Sequence, residues 1–420
     1  MVGGELRWGA VEGVQRVARL REGSGSKWVY RVWGRVDGTV AGRGRLTRVL
    51  VRAPLTEEVL ASLRADFGWE LVDAGDGSLG SVDESVAASV GVLLVEAEPV
   101  DDRVFERFRS VSLIGSVRGE PANVDLVEAT RRGVVVVRSP GRNAESVADL
   151  VLGLMLSVVR HIAEAHHLVV SRELTEERGA VPQGKDVVWR PFDPAGPLPY
   201  NIYKGPELVT LVLGLLGFGA VGRRVARKAT ALGMRVLAHD PFVGSAEVEA
   251  AGAEPVGAED LFRRCDVLSL HAPPQQGRPL VGERELALMK RGSYVINTAR
   301  ASVLDYGALM SALREGRLAG AGLDVFPEEP LRPDDPLLEL SNVTLTPHIG
   351  GASANVVEHH SEILLEGLRA LAQGRVGAAN VKNPDALSRW PQGIPPVFQG
   401  ALPSGSTMTN AGGARKGGFN

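Results

Sequence analysis

The sequence predicts an α/β protein of two doubly wound parallel-sheet domains with an active-site cleft between them. Three observations predict it. Short apolar runs alternate with helical segments from residue 48 onward. A second, stronger series of such runs ends at Gly217, Asp240, His271, Arg300, Asp324 and His348. The turn Gly217-Phe218-Gly219-Ala220-Val221-Gly222 joins one of those runs to a helical segment. Strands alternating with helices build parallel sheets covered on both faces, and open parallel sheets bind ligands beyond the carboxyl ends of their strands.

Composition narrows the function classes. The 420 residues are 44% hydrophobic and 23% charged, which excludes a chain disordered throughout. A net charge of −3 gives no whole-molecule basic field, against a nucleic-acid or polybasic membrane protein. The single cysteine, Cys265, excludes an intramolecular disulfide framework and a multi-thiolate metal site. It reads as a small core residue beside Asp266, not a nucleophile. The first residues lack the apolar stretch of a signal peptide. The longest apolar stretch, Leu208 to Val221, is interrupted by Thr210 and three glycines and is too short to span a bilayer, which takes about 20 residues. The expected location is cytoplasmic, with no membrane or nucleic-acid partner and no bound metal.

Along the chain, residues 1–47 carry nine Lys/Arg and four Asp/Glu and read as a basic, poorly ordered leader, with a weak strand-like alternation over Lys27–Trp33. The first strand is Val49-Leu50-Val51, followed by a helix over Glu57–Ala65. Further strands are Val92–Val95, Ser112–Ile114 and Val134–Val137. Val147, Leu150, Val151, Leu154, Met155 and Val158 then fall on one face of a helix, with Asn143 as its N-cap. Pro182 to Pro199 reads as a surface loop. The last helix, Ala352 to Leu371, is amphipathic and is expected to return to the first sheet. The expected organisation is residues 48–145 plus 352–383 as a discontinuous first domain and 146–351 as the second. Five prolines with Gly-Ser and Gly-Gly pairs make 384–420 an expected flexible tail.

The glycine turn has the context of a dinucleotide site. Gly217 permits the tight turn, Gly219 lets backbone approach a pyrophosphate, and Gly222 allows close helix–strand packing. The amides of Ala220 and Val221 would face the phosphates at a helix N-terminus. Asp240, 18 residues beyond Gly222, can accept both ribose hydroxyls and repels a 2′-phosphate, which favours NAD over NADP. Three further segments end strands on the same edge: Asn297-Thr298-Ala299-Arg300, Gly322-Leu323-Asp324-Val325-Phe326 leading to Glu328-Glu329-Pro330, and Pro347-His348-Ile349-Gly350-Gly351. An imidazole exchanges a proton with a hydroxyl or carbonyl oxygen, and a neighbouring carboxylate orients it and favours imidazolium. A guanidinium grips a carboxylate in fork geometry. Nicotinamide supplies the hydride chemistry that side chains lack. Singly, each residue also reads blandly, as a surface arginine, a loop acid or a buried histidine. Their joint order around a dinucleotide turn points to a site. The other histidines have no metal-ligand context.

With those motifs in hand, the chain from about residue 48 to 385 resembles the D-isomer-specific 2-hydroxyacid dehydrogenase family, which includes phosphoglycerate dehydrogenase and glyoxylate/hydroxypyruvate reductases. The resemblance implies two Rossmann-like domains that close on a small 2-hydroxy or 2-oxo acid with NAD as cofactor. It implies that Arg300 binds the substrate and polarises its carbonyl, that Glu329 rather than Glu328 partners His348, and that His348 donates or removes the proton. It implies that Asp324 bonds the nicotinamide carboxamide and that Thr298 and Ala299 line the nicotinamide ribose, with Gly350 and Gly351 completing the cofactor pocket. His271 would lie near the cofactor. Backbone amides at Val117, Arg118 and Gly119 would hold the substrate carboxylate. Arg118, where many members have a small residue, would suit an extra anionic or hydroxylated group, unless it turns outward to pair with Glu120. The helix over Val147–Val158 would lie in a homodimer interface. Ala301 replaces the usual glycine, Val209-Thr210-Leu211 replaces a polar turn, and the Pro182–Pro199 loop is long. Two other functions fit this scaffold: an NAD-sensing, corepressor-like binding protein, and oxidation of another small anion such as formate or phosphite.

Overall fold

The computed structural model describes residues 17–21, 28–32, 46–72, 78–175, 196–275, 277–390 and 393–398. Strands β1 (Val17–Arg21) and β2 (Trp28–Val32) pair antiparallel within a separate unit, Met1–Leu46. The alternation over Lys27–Trp33 thus falls on β2. The rest of the basic leader lies outside the described residues, as do the middle of the long proline-bearing loop and residues 399–420.

The second unit, from Thr47 on, contains two parallel sheets. The first comprises β3 (Arg48–Val51), β4 (Glu70–Val72), β5 (Val90–Val95), β6 (Leu113–Ser116) and β7 (Val135–Arg138), in the order β4-β3-β5-β6-β7. The second comprises β8 (Val212–Leu216), β9 (Arg235–His239), β10 (Glu254–Pro255), β11 (Val267–Leu270), β12 (Ser293–Asn297), β13 (Leu318–Leu323) and β14 (Val343–Leu345), in the order β10-β9-β8-β11-β12-β13-β14. In both sheets the strand order reverses next to the first strand, and the crevice at such a switch point is where ligands bind. The central strands are buried on both faces. β11 is wholly buried and β12 likewise, as the continuous apolar runs require. Strand β4 is half exposed and only three residues long, too short to read from periodicity.

Helix α1 (Glu57–Phe67) is capped by Thr56, whose side chain accepts from the Val59 amide, and ends at Gly68 with φ +66°. Helix α2 (Ala144–Val159) begins where expected, but Asn143 makes no side-chain cap bond. Its apolar stripe is not free for a second copy. Val151 and Met155 are fully buried, and Val147, Leu154 and Val158 nearly so, in a core shared with Leu213, Ile296 and Val225. Gly322 on β13 explains the fit, because a Cβ there would come within 2.9 Å of the Leu154 Cβ. The stripe expected at an interface is therefore core. The following helix, α3 (Ile162–Val170), buries no residue, and Ile162 and Val170 are exposed. No single helix is long and apolar enough to cross a membrane among the described residues; α2 and α3 qualify only as a pair bent by 69°, and α2 is a core helix.

Two crossovers connect the sheets. Residues 139–143 lead from β7 into α2, and after β14 the chain reaches α5 (Val356–Ala372), whose Leu364, Leu368 and Leu371 join the core of the first sheet. One buried imidazole fastens both ends: His360 Nε2 lies 2.6 Å from Pro54 O, and its Nδ1 lies 3.4 Å from the Arg142 guanidinium, which pairs with Glu96 at 2.8 Å. The expected flexible tail starts later than composition predicts. Ala386, Leu387, Val397 and Phe398 are buried in the first-sheet core, Phe398 packs 5.3 Å from Phe67, and Trp69 Nε1 donates to Val397 O. The few apolar residues among the prolines suffice because Trp69 and Phe67 offer a ready surface.

Candidate active site

Helix α4 (Ala220–Ala231) starts directly after the glycine turn that follows β8. Gly217 has φ +97°, and a Cβ there would lie 2.6 Å from the His271 carbonyl carbon and the Ala272 amide. A Cβ on Gly222 would lie 2.5 Å from Gly217 O. These two glycines are required by the packing of the turn itself. Gly219 is different, with open space where a Cβ would be, and it leaves the start of α4, whose first amides have no helical partner, accessible to an anion. Asp240 closes the turn from the end of β9: Oδ2 accepts from the Phe218 amide at 2.8 Å and Oδ1 from the Phe242 amide at 2.9 Å. Each oxygen retains a lone pair for a ribose hydroxyl. The Thr298 hydroxyl is buried and has no hydrogen-bond partner among the described residues. An open glycine, free helix amides, an acid and an orphaned hydroxyl together fit a dinucleotide.

The chemistry-bearing residues meet at the ends of β12, β13 and β14. Buried Asn297 folds the chain around Arg300: its Oδ1 accepts from the Ala299 amide and its Nδ2 donates to Arg300 O, both at 3.1 Å. The Arg300 side chain is exposed and donates to Ala299 O. His348 Nδ1 lies 2.7 Å from Glu329 Oε2, and Glu329 Oε1 accepts from the Phe326 amide at 2.9 Å. Glu328 makes no such contact among the described residues. The bond to His348, and then the Phe326 amide, hold the Glu329 carboxyl below the ordinary glutamate range. It therefore stays ionised across neutral pH and leaves Nε2 of the imidazole as the exchangeable position. Arg300, Glu329 and His348 line one cavity of about 610 Å³ with Ser302, Tyr306 and Phe326.

Within the protein, Asp324 is bonded to the loop after β14. It is 1% exposed, and it accepts from Thr346 Oγ1 at 2.6 Å, from the Ile349 amide at 2.8 Å and from the Gly350 amide at 2.8 Å. These bonds flank His348, whose φ of +53° is the left-handed region. Asp324 thus braces the loop that presents the imidazole. Gly350 and Gly351 serve the same packing: a Cβ on the first would press on Asp324 Oδ2 at 3.0 Å, and one on the second on Asn143 Nδ2 at 2.8 Å.

The substrate loop ends β6. The Val117 amide is spent on Val95 O and the Arg118 amide on Ser116 Oγ, whereas the Gly119 amide bonds nothing among the described residues. Val117 is fully buried in the sheet core, so its expected carboxylate contact is corrected. Arg118 does not pair with Glu120, which is taken by Lys382 at 2.7 Å and Arg138 at 3.8 Å. The loop touches the crossover, since a Cβ on Gly119 would lie 3.4 Å from Ser139 O, and one on Gly141 would lie 3.0 Å from Ala220 Cβ at the glycine turn.

Comparison with known proteins agrees with this geometry. Residues 152–350 match the model described as D-isomer specific 2-hydroxyacid dehydrogenase, NAD binding domain. A glyoxylate reductase of Korarchaeum cryptofilum is 34% identical over 350 residues, 83% of this chain and 99% of that one. The chain belongs to the D-isomer-specific 2-hydroxyacid dehydrogenases. It is also 31% identical over 344 residues to a D-3-phosphoglycerate dehydrogenase of Methanocaldococcus jannaschii, covering 80% of this chain and 60% of that one. A crystal structure of D-lactate dehydrogenase from Aquifex aeolicus, complexed with NAD and lactic acid, aligns with a TM-score of 0.55 and 25% identity over 80% of this chain and 99% of that one.

Two consequences of the geometry can be measured on this dehydrogenase. Its cofactor is NAD; the expectation to be tested is that the Asp240 carboxylate receives the ribose and would repel a 2′-phosphate. Asp240→Ala is expected to lower the ratio of kcat/KM for NADH over NADPH by about tenfold or more, because the repulsive element is removed. An unmoved ratio counts against the ribose role. The second concerns acid. Loss of hydration pushes His271 down to about 4, and burial also lowers His360. His271 stays neutral when folded down to about pH 4, while in the unfolded chain a histidine titrates near 6.5. Its contribution is intact above pH 6.5 and lost as the pH falls toward 4, at a cost of up to about 3 kcal/mol, and His360 acts in the same direction. Urea unfolding at pH 7.5 and 4.5 checks this, and in His271→Gln the drop between the two should shrink. Asn297 stands in the Asn297-Thr298-Ala299-Arg300 motif, where the sequence assigns it no role; the sole signal was a polar residue closing a buried strand.

Proposed function

We propose that this dehydrogenase interconverts a D-2-hydroxy acid and its 2-oxo acid, with His348 as proton donor in reduction and base in oxidation. The observation that carries the reading is the His348–Glu329 pair at 2.7 Å in the same cavity as Arg300. NAD, when bound, supplies or accepts the hydride at the carbon of the acid. Arg300 offers its fork to the substrate carboxylate, with the free Gly119 amide as a second donor from the other sheet. Glu329 fixes the ring so that Nε2 faces the reacting oxygen. Asp324 holds the loop carrying that ring, and Asn297 holds the turn carrying the guanidinium. We assign residues 48–145 and 352–383, with the packed segment 384–398, to the substrate-binding lobe and 146–351 to the NAD-binding lobe. Closure of the lobes would exclude water from the cleft.

The test is a panel of 2-oxo acids with NADH, read by absorbance. Turnover of at least one acid to the D-hydroxy product is expected. No turnover with any acid overturns the reading, and turnover of formate or phosphite with NAD would replace it.

We also propose a homodimer that uses α3 and not α2. Ile162, Val169 and Val170 are 53%, 43% and 65% exposed on a helix that buries nothing, and an exposed apolar patch of that kind marks an interface. Light scattering should give twice the chain mass, and Val170→Asp should shift it toward the monomer.

A further inference from the structure

The hydrogen bonds that hold His348 do not end at Glu329. Tyr306 opens the helix Tyr306–Arg314, and its ring is buried in the core of the second sheet. Its hydroxyl donates to Val325 O. Burial pushes that hydroxyl above its ordinary range, so it keeps its proton and remains a donor throughout the neutral range. Val325 O and the Phe326 amide belong to one peptide group. On the other edge of that group the Phe326 N–H donates to Glu329 Oε1 at 2.9 Å, and Glu329 Oε2 meets His348 Nδ1 at 2.7 Å. The order is hydroxyl, peptide, carboxylate, imidazole. Among the described residues no other hydrogen bond reaches the Val325–Phe326 peptide, and both residues are buried.

On the role of His348 given above, we propose that Tyr306 is a positioning residue for the reaction, fixing the Glu329 carboxylate against His348 through the peptide between Val325 and Phe326. A donor on a carbonyl polarises the peptide and makes its N–H a stronger donor, so bonds in series strengthen one another. The bond at the end of the peptide is charge-assisted, because the Glu329 carboxyl is ionised. A buried carbonyl left without a donor is unfavourable. Without the hydroxyl the peptide turns toward another partner and takes its N–H off Oε1. The carboxylate then keeps the imidazole alone and swings with it. Tyr306 lines the cavity of Arg300, Glu329 and His348 as part of its wall. With its one proton on Val325 O, the hydroxyl has none to offer a substrate.

The experiment takes Tyr306→Phe, Glu329→Ala and the double variant. Each is assayed with NADH and whichever of glyoxylate, hydroxypyruvate, pyruvate and phenylpyruvate the parent enzyme reduces fastest. Rates are referred to sites counted by NADH binding, so a loss of folded protein is not read as a loss of rate. Tyr306→Phe keeps the ring and its packing. It is expected to lower kcat about tenfold, less than the roughly 100-fold that a misplacement of about 1 Å can cost. KM for the acid and for NADH should stay within about twofold, since the hydroxyl binds neither. In the Glu329→Ala background the same substitution should change kcat by less than about twofold, because the carboxylate through which it acts is gone. An unchanged kcat in Tyr306→Phe overturns the proposal. So does a raised KM for the acid at constant kcat, which would put the hydroxyl in the service of Arg300. So does a double variant whose loss is the product of the two single losses. All three leave the dehydrogenase reading standing, whereas failure of the parent enzyme on every acid overturns that reading and the role of Tyr306 with it.

Discussion

Replacing His348 by alanine is expected to lower kcat for oxo-acid reduction by about 1,000-fold, within the range removed with a general acid. The Glu329 carboxyl, held below its ordinary range by the bond to His348 and by the Phe326 amide, is ionised and cannot donate, which leaves the imidazole as the donor in this reading. Glu329→Gln should cost less, about 10- to 100-fold, because the amide can still touch Nδ1 but leaves the imidazole without its anion. The decisive comparison is kcat at saturating substrate and NADH, with thermal unfolding run alongside to show that the variants fold. A His348→Ala enzyme as fast as the parent would remove the histidine from the mechanism.

Arg300→Lys should raise KM for the oxo acid about 10- to 100-fold, and Arg300→Ala further. An ammonium offers a point charge where the guanidinium offers two parallel donors, and a hydrogen bond to a charged group is worth about 1.5–3 kcal/mol. KM for NADH should change little. Among the described residues the exposed Arg300 side chain makes one hydrogen bond, to its neighbour's carbonyl, so its loss takes little packing with it. If KM for the acid stays put in both variants, the carboxylate is held elsewhere, with the Gly119 amide the first place to look.

Much of this site is legible because its parts are local. The glycine turn needs three residues without side chains at set spacings, and an acid at the end of the next strand. Strand ends are where apolar runs stop, so Arg300, Asp324 and His348 could be read as neighbours on one sheet edge before any coordinate was known. Other parts were out of reach. Asn297 reads as one more residue of a strand, and its double bond around Arg300 depends on the turn conformation. Asp324 looked like a ligand-facing acid, and only its three donors from the β14 loop reveal a brace. Val117 looked like a carboxylate cradle, but parallel pairing with β5 claims its amide.

By itself, the chain's pattern determined the class of fold, the place of the dinucleotide turn and the three strand ends that carry Arg300, Glu329 and His348, because periodicity and glycine spacing are properties of neighbouring residues. Tertiary structure alone decided that the apolar stripe of α2 is core, that Asp324 is bonded to the loop carrying His348, and that the proline-rich segment up to Phe398 packs on Trp69. Each of these depends on contacts between residues from 22 to 328 positions apart in the chain. Such contacts are set by how the layers stack, and no local spacing encodes them.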